Sequence, residues 1–431
     1  MREIEFIDYV TPKMTGEPSK VSHSQILSTV NGHSFIPLAT YAVNIPDMPS
    51  AKEFGFNLIQ SYQFTGMSIK DQTAYLDAAK SNGLMVFVQL DGAKKLTPEK
   101  VDEIKSTVLR YKDHPAVYAW YLADEPSIAT DEPANLNSLY KWIKNADPNH
   151  QVISSNWELW NFKYACDLDM PQLYNGIPSR LTPNLDNYIK GYAQHKKDWV
   201  AIINSYDSGW SDEPGRKSMN PTSAFEKLAS DGFKDGDPEW ETEKKYWQPL
   251  LDNLANPESV GFYPSKSFPN TPEAIRSSFY WAFVHGSNGV YYWLFTNPDY
   301  PLNLRWGWHT IFYQPRLANA LKNTLGELKD LSKFLVNPSS ESISFKDNKN
   351  PGMYVWSKIV DKIRAIIIIN ETGEEYNGEI DLSSLNIPTR TLKVYNEDER
   401  EIKLENGILK DYFSKEEVHV YFVLPTEYLD K

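Results

Sequence analysis

Hydrophobic positions in this chain alternate between two rhythms from residue 34 to about 335. Short runs rich in β-branched and aromatic residues fall at Phe35–Tyr41, Asn57–Tyr62, Leu84–Leu90, Val117–Leu122, Val152–Ser155, Leu168–Leu173, Trp199–Ile203 and Val290–Phe295. Runs of this length and composition predict buried strands. Between most of them the period lengthens to that of a helix. Ser68–Asn82 is one such segment, with Ala74, Leu76, Ala78 and Ala79 expected inward. Thr97–Tyr111 and Thr271–His285 both open on Thr-Pro-Glu, a threonine cap followed by proline in the first turn. Asn135–Asn145 and Gln314–Leu335 complete the series. Eight strand–helix units in this span predict an α/β fold, a (β/α)₈ TIM barrel. A doubly wound open sheet is the rival, but no glycine-rich phosphate loop follows any of the strands.

The rhythm breaks twice. Residues 208–270 are rich in Pro, Asp, Gly, Ser and Trp, and read as a long insertion that builds or covers a site, or as a surface excursion with its own small core. After Asn337-Pro-Ser-Ser the helical period disappears. Gly352–Val360, Lys362–Asn370, Tyr376–Asp381, Thr391–Tyr395 and Val418–Leu424 read as strands, with turns at Asp361 and at Asn406-Gly407. The organisation expected is an extension over residues 1–24, a barrel over 25–337 and a small all-β sandwich over 338–431.

Composition narrows the chemistry. A net charge of -13 argues against nucleic acid and anionic membrane as partners. The single cysteine, Cys166, excludes an intrachain disulfide framework and reads as a small buried residue. The eight histidines are scattered without metal-ligand spacing, so no metal and no cofactor is expected. No Gly-x-Ser-x-Gly elbow is present, which argues against a serine hydrolase. Met1-Arg-Glu-Ile-Glu-Phe has no apolar signal core, and no run is long enough to span a bilayer. A soluble chain is expected, cytoplasmic, or secreted if a leader has been removed. Oligomeric state is not legible.

The chemical focus is Val117-Tyr-Ala-Trp-Tyr-Leu-Ala-Asp-Glu-Pro126, an apolar strand ending in two carboxylates and a proline. Carboxylates beside an apolar core are costly, so a fold that places two there generally uses them. Burial would raise the Glu125 pKa, as suits a general acid. The plainer reading is a helix cap or a partner for a surface arginine. In a barrel of this kind the site gathers at the C-terminal ends of the strands. That places Tyr41 and Asn44, then Tyr62 and Gln63, Asp91, Asp124 and Glu125, Trp157, Glu158 and Trp160, Gln172 and Tyr174, Asn204, Tyr206, Asp207 and Trp210, and Trp293 around one mouth. Carboxylates interleaved with Tyr, Trp, Asn and Gln suit a carbohydrate cleft. Glycoside hydrolysis needs two carboxyl groups, one to protonate the leaving oxygen and one to attack or to activate water. Glu125 is the acid/base candidate. Asp207 and Glu158 are the candidates for its partner, and Asp124 reads as a residue that orients Glu125. His285 reads as a structural histidine. Arg276 pairs with a strand-end carboxylate or serves an ordinary surface role, and Trp306 and Trp308 form a sugar platform or pack in a wall.

Asn31-Gly-His-Ser-Phe, Glu53-Phe-Gly-Phe-Asn-Leu-Ile-Gln and Trp120-Tyr-Leu-Ala-Asp-Glu-Pro, with Asp167–Tyr174 and Arg276–Trp293, resemble the barrel of clan A glycoside hydrolases. The nearest resemblance is to stand-alone relatives of the family 2 barrel, over roughly residues 25–335. It implies that Glu125 is the acid/base, at the end of the fourth strand. The residue before it is typically Asn in the clan and is Asp124 here. The clan's nucleophile is a Glu ending the seventh strand, whereas this chain reads Ile203-Asn-Ser-Tyr-Asp-Ser. Either Asp207, Glu158 or a loop carboxylate replaces it, or the scaffold binds sugar without cleaving it. A structural or virion-associated role for the barrel is the third possibility.

Overall fold

A computed structural model of the chain describes residues 11–12, 21–24, 27–93, 96–155, 159–173, 178–179, 181, 198–203, 228–229, 232–242, 244–245, 271–293, 295, 315–336, 342–397 and 400–424. The barrel strands are Leu38–Thr40, Leu58–Ile59, Met85–Gln89, Val117–Asp124, Gln151–Ser155, Leu168–Asp169, the pair Asp198–Trp199 and Ala201–Ile203, and Val290–Tyr292. All run parallel. The seventh is interrupted at Val200: its first half pairs with the sixth strand and its second half with the eighth. The eighth pairs with the first, at Val290–Leu38 through Tyr292–Thr40, so the ring closes. The fold is a (β/α)₈ barrel, and the open-sheet alternative is excluded by that closure.

Side chains alternate across the wall as a period of two requires. Ala39, Leu58, Met85, Phe87, Ala119, Tyr121, Ile153, Leu168, Val200, Ile202 and Tyr291 fill the interior. Leu38, Ile59, Val86, Val88, Trp120, Leu122, Val152 and Tyr292 face the helices. A three-stranded antiparallel sheet, Val21–Ser24, Leu27–Val30 and His33–Phe35, precedes the first strand. Its Val30 and Phe35 join the interior cluster. Phe35 meets Tyr118, near the start of the fourth strand, at a centroid distance of 5.7 Å. The sheet therefore seals the N-terminal floor of the barrel.

The helices begin where their caps place them. Thr97 Oγ1 accepts from Lys100 N at 3.3 Å and Thr271 Oγ1 from Ala274 N at 3.1 Å, opening Pro98–Tyr111 and Pro272–Val284. Ser68 caps Ile69–Ser81. The buried face of that helix differs from expectation: Ala74 is exposed, and Gln72 and Tyr75 are buried beside Leu76 and Ala79. Tyr75 is held inward because its hydroxyl donates to Val43 O at 2.9 Å. Cys166 is buried as expected.

Beyond the barrel, eight antiparallel strands form the C-terminal β-sandwich. The five expected strands are present. Ser342–Lys346, Glu401–Glu405 and Ile408–Phe413 join them. Left-handed residues at Asp361–Lys362 and Asn406–Gly407 form the two expected turns. One face of this sheet packs on barrel helices Pro272–Val284 and Pro315–Val336, so Trp356, Ile367, Val420 and Phe422 share a core with Phe279, Leu328 and Phe334. Polar contacts fix the joint. Arg276 donates from Nε to Glu327 Oε2 at 2.7 Å and from Nη1 to Val418 O. Tyr280 donates to the same Glu327 oxygen at 2.8 Å and Tyr395 to Asp330 at 3.0 Å. His285 meets Glu371 at 2.8 Å. Arg276 thus pairs with a helix carboxylate, where a strand-end carboxylate or the surface was expected, and His285 has the structural role expected of it.

Candidate active site

The C-terminal ends of the strands place a compact set of the expected residues together. The fourth strand carries a register shift against the fifth between Tyr121 and Ala123. Leu122 and Ala123 consequently both face the helices. The extra residue re-aims the strand's last position, so Asp124 returns to the interior side and accepts from Tyr121 Oη at 2.6 Å. Burial first, then the Asp124 charge, holds the Tyr121 hydroxyl well above its ordinary range, so it stays a donor. Glu125 follows in the left-handed region, φ 50°, with its N–H on Ser155 O at 2.9 Å. It stands exposed, not buried as the sequence suggested, because that backbone turn carries it off the strand. Asp124 and Glu125 diverge as neighbours on a strand end should.

Tyr62 is the centre of the mouth. Its ring stacks on Tyr41 at 5.9 Å, and its hydroxyl accepts from Trp293 Nε1 at 3.1 Å. Desolvation, then the negative charges of Asp124, Glu125 and Asp91, push the Tyr62 hydroxyl well above its usual value. Tyr62 is nonetheless 38% exposed, and its bond to Trp293 lies at the surface of the mouth. Tyr41 is 1% exposed and supports Tyr62 from within the barrel, touching Phe87, Tyr121 and Tyr291. Gln172 donates to Ser155 Oγ at 2.9 Å. Asn44 is buried, with its amide 3.5 Å from Asp47. Gln63 is exposed on the loop after the second strand.

Four participants escaped the reading of the sequence. Gln60 donates to Gln89 at 2.8 Å, Gln89 donates to Asp91 Oδ1 at 2.6 Å, and Thr65 donates to Asp91 Oδ2 at 2.5 Å. Tyr121, on Asp124, is the fourth. The available signal was polar Gln60 and Gln89 ending otherwise apolar strand runs. Gly92, next to Asp91, shows why the backbone is tight here: a Cβ would lie 2.6 Å from Leu122 O. Trp157, Glu158, Tyr174, Asn204, Tyr206, Asp207 and Trp210 lie outside the described residues, as do Trp306 and Trp308; of Trp160 only the backbone is described. Among the described residues, no group of three or more His, Cys, Asp or Glu side chains has the arrangement of a metal site. No described helix is long and apolar enough to cross a membrane.

Residues 49–219 match the family model of the glycosyl hydrolases family 2 TIM barrel domain. That stretch runs from the first barrel helix through the strands that carry Asp91, Asp124 and Glu125, so the barrel is similar to that domain. Mannan endo-1,4-β-mannosidase F of Aspergillus fumigatus is 28% identical over 147 residues, covering 30% of this chain and 32% of that protein. A β-galactosidase of Leuconostoc mesenteroides is 27% identical over 139 residues, covering 30% of this chain and 13% of that protein. The chain thus spans less than a third of the length of these curated relatives. The fold is also similar to that of the α-amylase of Geobacillus thermoleovorans solved with acarbose, at a TM-score of 0.53 and 12% identity over 89% of this chain and 91% of that one. A family 39 glycoside hydrolase from Bacteroides cellulosilyticus WH2 gives 0.52 and 12% over 93% and 85%. These two likenesses concern the fold.

Proposed function

We propose that the protein is a glycoside hydrolase that cleaves O-glycosidic bonds of an oligo- or polysaccharide, with Glu125 as general acid/base. The observation that carries this reading is the placement of Glu125. It follows the fourth barrel strand in a left-handed turn, exposed at the mouth, where its charge and those of Asp124 and Asp91 all act on Tyr62. Strand ends at this face carry the chemistry of such barrels, and strained backbone is retained where function needs it. A protonated Glu125 gives its proton to the leaving oxygen. Asp124, held by Tyr121, orients the approach to it. Asp207 is the leading second carboxylate and Glu158 the next, attacking the anomeric carbon or activating water. Tyr62 and Trp293 supply the ring-stacking surface. The relatives named above make β-1,4-mannan fragments and β-galactosides the first substrates to try.

The test compares wild type with Glu125→Gln on mannan oligosaccharides, aryl β-galactosides and a wider panel, reading reducing-end release. Turnover by wild type and a fall of about a hundredfold or more in the variant is expected, the size typical of a lost acid/base. Retained turnover in Glu125→Gln refutes the assignment. A second reading, glycan binding without cleavage, is favoured by one observation: residues 204–208 after the seventh strand, Asn-Ser-Tyr-Asp-Ser, contain no Glu. Binding by both proteins with turnover by neither selects it.

A further inference from the structure

Ala42, Asp91 and Glu125 follow the first, third and fourth barrel strands, and all three are non-glycine residues in the left-handed region, with φ of 60°, 51° and 50°. Such backbone is uncommon outside glycine and gathers at functional sites. Glu125 accounts for one of the three. The other two are the ends of a single hydrogen-bonded chain. Ala42 N donates to Gln60 Oε1 at 3.3 Å, Gln60 Nε2 to Gln89 Oε1 at 2.8 Å, and Gln89 Nε2 to Asp91 Oδ1 at 2.6 Å. Gln60 and Gln89 are 0% and 2% exposed, so the fold commits two buried amides to this line. Thr65 fixes the other Asp91 oxygen at 2.5 Å. The carboxylate is held at both oxygens while the residue itself is half-buried at the mouth.

A carboxylate has about four lone-pair directions, two on each oxygen. Gln89 and Thr65 take one on each. Among the described residues, these two bonds leave one acceptor direction on each oxygen. Two hydroxyls on adjacent carbons of a ring can donate one bond to each oxygen of a carboxylate, and the exposed Tyr62 stands near enough to sense the Asp91 charge. We propose that Asp91 is a specificity-determining residue that grips two neighbouring hydroxyls of a sugar ring bound at the mouth, pre-aimed by the Gln60–Gln89 line and Thr65. This rests on the carbohydrate reading of the mouth. A pre-aimed acceptor pair loses no rotamer freedom on binding and discriminates sharply against a ring that lacks one hydroxyl.

The test is a printed array of β-linked oligosaccharides, mannan and galactan fragments included, probed with Glu125→Gln and with Glu125→Gln/Asp91→Asn, followed by titration calorimetry on the strongest binder and its monodeoxy forms. Each charge-assisted contact is worth about tenfold in affinity. Asp91→Asn therefore weakens binding about tenfold to a hundredfold. One deoxy sugar loses about tenfold on the parent protein and less than about threefold on the Asp91 variant, the non-additivity of a direct contact. Thr65→Val, which keeps the charge and frees one oxygen, gives an intermediate loss and decides the case if Asp91→Asn melts early. Equal binding by all proteins overturns the inference. So do additive losses for every deoxy sugar, and so does an array on which the Glu125→Gln protein binds nothing. Turnover by wild type that persists in Asp91→Asn overturns it while leaving the hydrolase reading intact.

Discussion

Replacing Arg276 by alanine tests the joint between barrel and sandwich. The guanidinium donates to Glu327 from the barrel side and to the carbonyl of Val418 from the sandwich side. Its side chain is 21% exposed and that of Glu327 11%, so both charges are largely withdrawn from water. Among the described residues, truncation leaves the Glu327 carboxylate with the hydroxyl of Tyr280 as its hydrogen-bond donor, and the Val418 carbonyl without this one. Breaking a pair of this kind costs about 3–5 kcal/mol. An unfolding entropy of about 2.1 cal/mol/K per residue makes that loss a fall in Tm of about 3–6 °C for a chain of this length. Differential scanning calorimetry of wild type and Arg276→Ala reads it directly. Arg276→Met with Glu327→Leu, which removes both charges and restores apolar volume, should recover most of the loss. A fall below about 1 °C in the single variant would refute the reasoning, because the pair would then be hydrated and the joint held by apolar packing alone.

Further outcomes follow from other contacts. Gly92→Ala drives a Cβ to within 2.6 Å of Leu122 O and should cost about 1–3 kcal/mol in urea unfolding, as overpacking does; an unchanged midpoint would show that the third-strand loop yields. Thr271→Ala removes the cap of Pro272–Val284 and should cost about 1 kcal/mol by the same measurement. Stability should also pass through a maximum in mildly acid solution. Burial alone would lower the His419 pKa, but bonds to Asp411 and Glu417 outweigh it and raise it. That contribution is complete below about 6.5, its unfolded value, and fades as pH rises through the folded one. Burial alone would raise Asp411 and Glu417, but His419, with Tyr421 on Asp411 and Ser414 on Glu417, holds both down. Theirs is complete above about 4.3 and lost as pH falls through the folded values. Melting scans from pH 3 to 9 should show both limbs, and His419→Gln should flatten the alkaline one; an unchanged alkaline limb would discard the assignment.

The barrel was legible because burial on two faces leaves its strands as apolar runs, and amphipathic helices between them carry a different period. The sandwich was only partly legible. Glu401–Glu405 and Ser342–Lys346 show mostly exposed positions, so little apolar patterning marks them as strands. At the site, Asp124 and Glu125 could be found as carboxylates ending an apolar strand. Their orientations could not, because a one-residue register shift and a left-handed φ are properties of the paired backbone, not of residue type. The line from Gln60 to Asp91 was invisible for a related reason. Residues distant in sequence meet only after neighbouring strands have chosen their register. Arg276 was left between two readings because its partner, Glu327, sits 51 positions away on another helix.

The antiparallel sheet beneath the barrel separates the duties of its two ends. Val30 and Phe35 are set into the packed interior and Phe35 lies against Tyr118, so this end adds apolar packing to the core. The opposite rim carries the polar strand ends. Changes beneath the barrel should therefore be felt as stability, and changes at the rim as what the protein can hold.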